Sequence, residues 1–147
     1  MLWLLLADAA RAGLVVGGML GTDVPLESDT SSDPGAHFGA LVGWRQDVLF
    51  VHVQPELVLR WNPMNDAALV GPGFSATALD PIAIGIFAHV GIPWSDGPTW
   101  DAGLVGEFTL LPRLRPGVRV GYHRAQIGDD DASDGFLTAS AVLLVKL

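Results

Sequence analysis

Leu49-Phe50-Val51-His52-Val53-Gln54-Pro55-Glu56-Leu57-Val58-Leu59-Arg60-Trp61 alternates two chemistries. Leu49, Val51, Val53, Leu57, Leu59 and Trp61 share one face of an extended chain, and His52, Gln54, Glu56 and Arg60 share the other. A period of two is the signature of a strand. Strands of soluble sandwiches usually run about 5–6 residues, and this stretch is far longer. Strands of about 9–11 residues, apolar outside and polar inside, are what a lipid-embedded barrel requires.

The composition agrees with that reading. At 147 residues the chain is expected to form one domain, long enough to close a small barrel. Half of the residues are hydrophobic and the mean hydropathy is +0.39, yet no run approaches the roughly 18 uninterrupted apolar residues of a spanning helix. Charged residues make up only 16%, below the share of about a quarter in soluble domains. The absence of cysteine removes disulfides, thiolate nucleophiles and cysteine-ligated metal sites. Sixteen acids against eight Lys and Arg leave a net charge of −8, which repels phosphate, so nucleic acid is not expected as a partner.

At the N-terminus, Met1 is followed by Leu2-Trp3-Leu4-Leu5-Leu6 and then by Ala7-Asp8-Ala9 and Ala10-Arg11-Ala12. The two small-x-small triplets fit a cleavage site, so residues 1–12 are expected to be a signal-peptide remnant or else a short apolar segment preceding a barrel over 13–147.

The remaining chain divides into eight strands. They are expected over Gly13–Leu20, Ala36–Arg45, Leu49–Trp61, Leu69–Leu79, Ile82–Ile92, Thr99–Leu111, Gly117–Gln126 and Phe136–Leu147. Gly21 ends the first, and Thr22 to Gly35 reads as a long acidic loop. Gln46-Asp47 and Asp80-Pro81 read as tight reversals, Pro112 to Pro116 as a third, and Gly128 to Gly135 as the last long loop. Long and short connections therefore alternate, as they do on the two sides of an outer-membrane barrel. The fold class is all-β: an eight-stranded, antiparallel, up-and-down transmembrane barrel with an apolar belt and a polar lumen filled by side chains.

In this architecture the chain resembles the small eight-stranded outer-membrane β-barrels of the OmpA/OmpX-like type. The resemblance covers nearly everything after Ala12 and rests on strand pattern, with no diagnostic motif. It implies insertion in a bacterial-type outer membrane, with outer-membrane lipid as the surrounding partner. Members commonly end in an aromatic residue, where this chain ends Val145-Lys146-Leu147. No second domain is expected, such as the peptidoglycan-binding domain that some relatives carry after the barrel.

Several residues stand out as candidates. Trp61, Trp94 and Trp100 fall at the loop ends of their strands and Trp44 beside the expected Gln46-Asp47 turn, as interface belts place them. His52, Glu56, Arg60, Asp101, Glu107, Arg119 and His123 project inward, where buried charges must find partners, so they are expected to form a structural lumen network. Glu56 and Glu107 are expected to pair with arginines drawn from Arg45, Arg60 and Arg119. No catalytic residue, metal or cofactor is assigned. His123 with Asp101 or Glu107 approximates part of a hydrolytic set, but no motif fixes a serine beside them.

Ten of the sixteen acids fall in the expected outer loops. Asp129, Asp131 and Ser133 only superficially follow a calcium-loop pattern, which requires a glycine at the sixth position and a bidentate glutamate that are missing here; Asp129, Asp131 and Asp134 support at most weak divalent-cation binding. The function expected is structural or surface-interacting, not a large-conductance pore, with the protein partner open. The alternatives are a lipid-modifying enzyme of the outer membrane and a soluble, lipocalin-like ligand-binding barrel, which would carry its apolar residues inside.

Overall fold

A computed structural model describes residues 12–26, 34–64, 67–91, 99–126 and 133–147. Eight strands follow one another: β1 (Gly13–Pro25), β2 (Gly35–Val48), β3 (Val51–Asn62), β4 (Ala67–Ala78), β5 (Ile82–Gly91), β6 (Thr99–Phe108), β7 (Leu114–Gln126) and β8 (Ser133–Lys146). Each pairs antiparallel with the next, and β8 pairs with β1, so the sheet closes on itself. Closure leaves no unpaired edge, the condition lipid imposes on a spanning sheet. The β2–β3, β4–β5 and β6–β7 connections lie at one end, the turn end; the other four lie at the loop end, where the β3–β4 connection, 63–66, is shorter than the β6–β7 connection, 109–113.

The faces of β3 are those its alternation predicts. His52, Gln54, Glu56 and Arg60 are buried, whereas Val53, Leu57, Leu59 and Trp61 are exposed on the outer wall. The same holds around the barrel, with Val42, Ile84, Ile86, Leu104, Val118, Val120 and Leu143 all outside. A lipocalin-type barrel would reverse these faces.

Several boundaries differ from the sequence reading, among them the start of β4, at Ala67 and not Leu69. The β2–β3 reversal lies at Leu49-Phe50, because Gln46 and Asp47 remain in the ladder opposite Val53 and His52, and Val48 faces Val51. β1 runs past Gly21 to Pro25: Gly21 stands opposite His37, and Asp23 opposite Gly35 points inward. Asp23 is thus a lumen residue and not a loop acid. β6 ends at Phe108 and β7 begins at Leu114, so Arg115 and Pro116 pair with β8 instead of forming the turn. β8 starts at Ser133, which places Asp134 within the strand ladder opposite Ala125.

The lumen is also less uniformly polar than expected. Val15, Met19, Leu41, Val58, Leu69, Val142 and Leu144 form an apolar cluster inside the barrel, contributed by β1, β2, β3, β4 and β8. Glycines make room for the large polar groups. Gly39 lies opposite Arg60 and Gly43 opposite Glu56; Gly73 lies between Glu56 and His89, and Gly117 faces Glu107. A Cβ added at Gly73 would collide with the His89 ring and the Ala88 carbonyl, and one at Gly21 would lie 2.7 Å from the His37 ring. Small residues opposite large ones are how a narrow barrel accommodates its filling.

Candidate functional site: an ion-paired lumen

Three tiers of polar side chains fill the barrel from turn end to loop end. At the turn end, Arg45 on β2 donates to Glu107 on β6 at 2.7 Å and to the Thr77 hydroxyl on β4 at 3.2 Å. His52 sits between two carboxylates, with Nδ1 2.7 Å from Asp47 and Nε2 2.8 Å from Asp80. Asp80, in the β4–β5 turn, also accepts from Arg115 and from the Thr109 hydroxyl, each at 3.1 Å. Partial burial opposes its charge, but the Arg115 guanidinium and then His52 outweigh this and hold the Asp80 carboxyl below its ordinary value.

The middle tier centres on His89. Its Nδ1 lies 2.6 Å from Asp101 and its Nε2 2.7 Å from Glu56. A neutral imidazole has one N–H, so with both carboxylates ionised both bonds form only if both ring nitrogens carry protons. Glu56 also accepts from the Gln54 amide at 2.5 Å and pairs with Arg119 at 2.8 Å. The Arg119 guanidinium lies over the Phe87 ring, 5.1 Å from its centroid.

Asp101 joins this tier to the loop end through Arg60, 3.4 Å from its second oxygen. Arg60 also pairs with Asp23, which accepts from Asn62 at 2.8 Å and lies 2.9 Å from His37 Nδ1. His37 Nε2 in turn meets the Ser140 hydroxyl at 2.7 Å. The result is one connected chain, Ser140–His37–Asp23–Arg60–Asp101–His89–Glu56–Arg119, reaching across β8, β2, β1, β3, β6, β5 and β7.

Of the inward residues singled out in the sequence, Glu56, Arg60, Asp101 and Arg119 meet in this chain, and Glu107 pairs with Arg45 in the turn-end tier. The arginine partners of the two glutamates are Arg119 and Arg45; Arg60 serves Asp23 and Asp101 instead. His52 belongs to the turn end. His123 is buried beside Phe136, with ring centroids 6.2 Å apart, and lies across the ladder from Asp101.

Sequence reasoning missed Asp23, which it assigned to a loop, and Asp47 and Asp80, which it assigned to turns. Asp23 and Asp47 stand at the ends of alternations whose phase already pointed them inward, and that phase was the available signal; Asp80 lies exposed in the turn expected of it, and no phase marks its approach to His52.

Ser140, His37 and Asp23 have the connectivity of a hydrolytic triad. Each is buried, however, and the free space bounded by Ser140, Met19, Arg60, Phe87 and Arg119 is only about 10 Å³, room for no more than a water. An acyl carbonyl does not fit there. Chemically, the arrangement can hold charges in fixed pairs and seal the lumen.

On the outer wall, Trp61 packs edge-on against Phe38 with centroids 5.1 Å apart, and Trp100 lies 5.3 Å from Tyr122. Together they form an aromatic girdle at the loop end. Trp44 is also outside, but the shifted turn places it four residues within the end of β2 and not beside the reversal. Trp94, Asp129 and Asp131, the side chain of Asp134, and residues 1–11 lie outside what the structure describes.

No protein-family model and no curated protein matches the sequence. Among solved structures, the barrel is similar to a de novo designed transmembrane β-barrel, with 12% identity, a TM-score of 0.58, and 92% of this chain and 95% of that one covered. It is likewise similar to Neisserial surface protein A, with 15% identity, a TM-score of 0.55, and coverage of 92% and 97%. At these identities the likeness is one of fold: the chain has the architecture of a small transmembrane β-barrel.

Proposed function

We propose that this chain is an integral outer-membrane barrel of bacterial type that acts as a closed scaffold, presenting four loop-end connections, each with at least one acid, at the cell surface. The ion-paired, side-chain-filled lumen carries this reading, because eight strands enclose little space and large side chains occupy it. The likeness to a protein called a surface protein supports the same role. Outer-membrane lipid surrounds the belt, and Asp129, Asp131 and Asp134 bind divalent cations weakly at most.

Planar-bilayer recording of the refolded protein tests the scaffold reading. The expected result is the absence of steady, large conductance; a steady, large conductance overturns it.

A lipid-modifying enzyme is the second reading, favoured by the Ser140–His37–Asp23 connectivity. Incubation with acyl-labelled outer-membrane lipid is expected to release and transfer no label. Turnover that Ser140→Ala abolishes would establish the enzyme instead.

A further inference from the structure

We propose that the three short turns are not aqueous hairpin tips but membrane anchors, seated in the boundary between headgroups and acyl chains of the leaflet on the turn side. The proposal rests on the transmembrane reading and adds a partner surface to it. Three independent observations carry it.

The first is the height of the wall. Ten residues separate Phe38 in the aromatic girdle from Val48 at the end of β2, and ten separate Trp61 from Val51 on β3. At about 3.3 Å per residue and a tilt of about 40°, ten residues rise roughly 25 Å along the barrel axis, which is the whole height of the apolar band of such barrels. With its upper edge at the girdle, the band ends at the turns. Trp44, six residues from Phe38, is then inside the band and does not mark its lower edge.

The second is the chemistry of the tips. Leu49 and Phe50 are 79% and 70% exposed, and Leu79, Leu110 and Leu111 are exposed in the other two turns. Val48, Ile82 and Phe108 on the adjoining strand ends are exposed as well, and Leu49, Phe50 and Leu79 border one recess with Asp47, His52 and Asp80. Of the acids of this end, Glu107 is paired with Arg45 and Asp47 with His52 inside the barrel, and Asp80, 42% exposed, is paired with His52 and Arg115, while Arg113 is exposed where it can meet lipid phosphate. Such apolar tips would be costly in water, and an interfacial surface combines apolar side chains with cations in this way.

The third is the backbone. Leu49 and Leu79 have φ of 58° and 76°, a left-handed region that disfavours a branched side chain and that hairpin turns ordinarily fill with Gly or Asn. Leucine at both positions keeps an apolar side chain where the backbone would favour none, which points to a use for that side chain.

The chain has no cysteine, so nitroxide labels can be placed singly by Phe50→Cys, Leu79→Cys and, as a mid-belt reference, Leu57→Cys. In vesicles of phosphatidylethanolamine and phosphatidylglycerol, collisions with oxygen and with a water-soluble nickel chelate report depth. Labels at Phe50 and Leu79 are expected to favour oxygen, as Leu57 does, at a depth of roughly 5–10 Å. Nickel-dominated turn labels with an oxygen-dominated Leu57 label overturn the anchors and leave the barrel in the membrane. A nickel-dominated Leu57 label overturns the transmembrane reading itself. Protection of the turn labels from both reagents means that protein covers the tips, and overturns lipid as the occupant.

Leu49→Gly gives a second readout through its sign. Strain relief alone raises the urea midpoint if the tip is in water, whereas loss of a lipid-seated side chain lowers it. A lowered midpoint in vesicles is expected, and a raised one overturns the proposal.

Discussion

Glu56→Ala is expected to destabilise the barrel by about 3–5 kcal/mol, the usual consequence of leaving a buried charge without its partner. Glu56 accepts from the Gln54 amide at 2.5 Å, lies 2.7 Å from His89 Nε2 and is ion-paired with Arg119 at 2.8 Å. Its removal leaves the Arg119 cation facing the His89 ring and the Phe87 face with no carboxylate between β3 and β7. Arg119→Ala is also expected to destabilise the barrel, but by less, because Glu56 keeps His89 at 2.7 Å and the Gln54 amide at 2.5 Å. Because the two residues share one interaction, the double variant should lose less than the sum of the singles. Urea unfolding in detergent micelles, followed by tryptophan fluorescence, measures all three. Additive losses would show that Glu56 and Arg119 act separately and would dissolve the network into independent contacts.

The legibility of this network in the sequence followed the clarity of the alternation. β3 was readable because polar and apolar residues alternate from Val51 to Trp61, so the inward placement of His52, Glu56 and Arg60 followed from period alone. The phase of β5, β6 and β7 placed Phe87, Asp101, Glu107, Arg119 and His123 in the same way. Alternation was uninformative where both faces are apolar. Val15 and Met19 lie among apolar or glycine neighbours, and nothing local distinguishes an inner Val15 from an outer Val16.

Turn chemistry misled in a physical sense. Gln46-Asp47 has the polar character of an ordinary reversal, but Asp47 faces His52 inside the barrel and the chain turns at leucine and phenylalanine instead. A leucine at positive φ has no local signature, so the Leu49-Phe50 turn could be found only from the register. The pairing of glycines with large lumen residues is likewise a property of register. Gly73 and His89 are sixteen positions apart in the sequence, and only the β4–β5 ladder brings them together. The same holds for Ser140 and His37, which meet only because β8 and β2 both flank β1.

Leu57→Arg is expected to destabilise the barrel in lipid vesicles by about 2–4 kcal/mol, while Val48→Arg at the turn edge should cost only about 0–1 kcal/mol. Leu57 points outward from β3 at 54% exposure, between the aromatic girdle and the β2–β3 turn, and so near mid-belt. A guanidinium there must leave water or distort the lipid around it, and it is too far from either interface to snorkel fully. The inward neighbours of Leu57 are Glu56 and Val58, and the pleat keeps a side chain at position 57 on the outer wall, away from the carboxylate. No lumen partner can compensate the new charge. In a barrel surrounded by water, the same substitution on an exposed position would change stability by no more than about 0.5 kcal/mol. Urea titrations of the two variants beside the parent, all refolded into the same vesicles, measure the difference. A depth-dependent loss is the property of a lipid-facing wall, and equal, negligible effects at Leu57 and Val48 would place that wall in water.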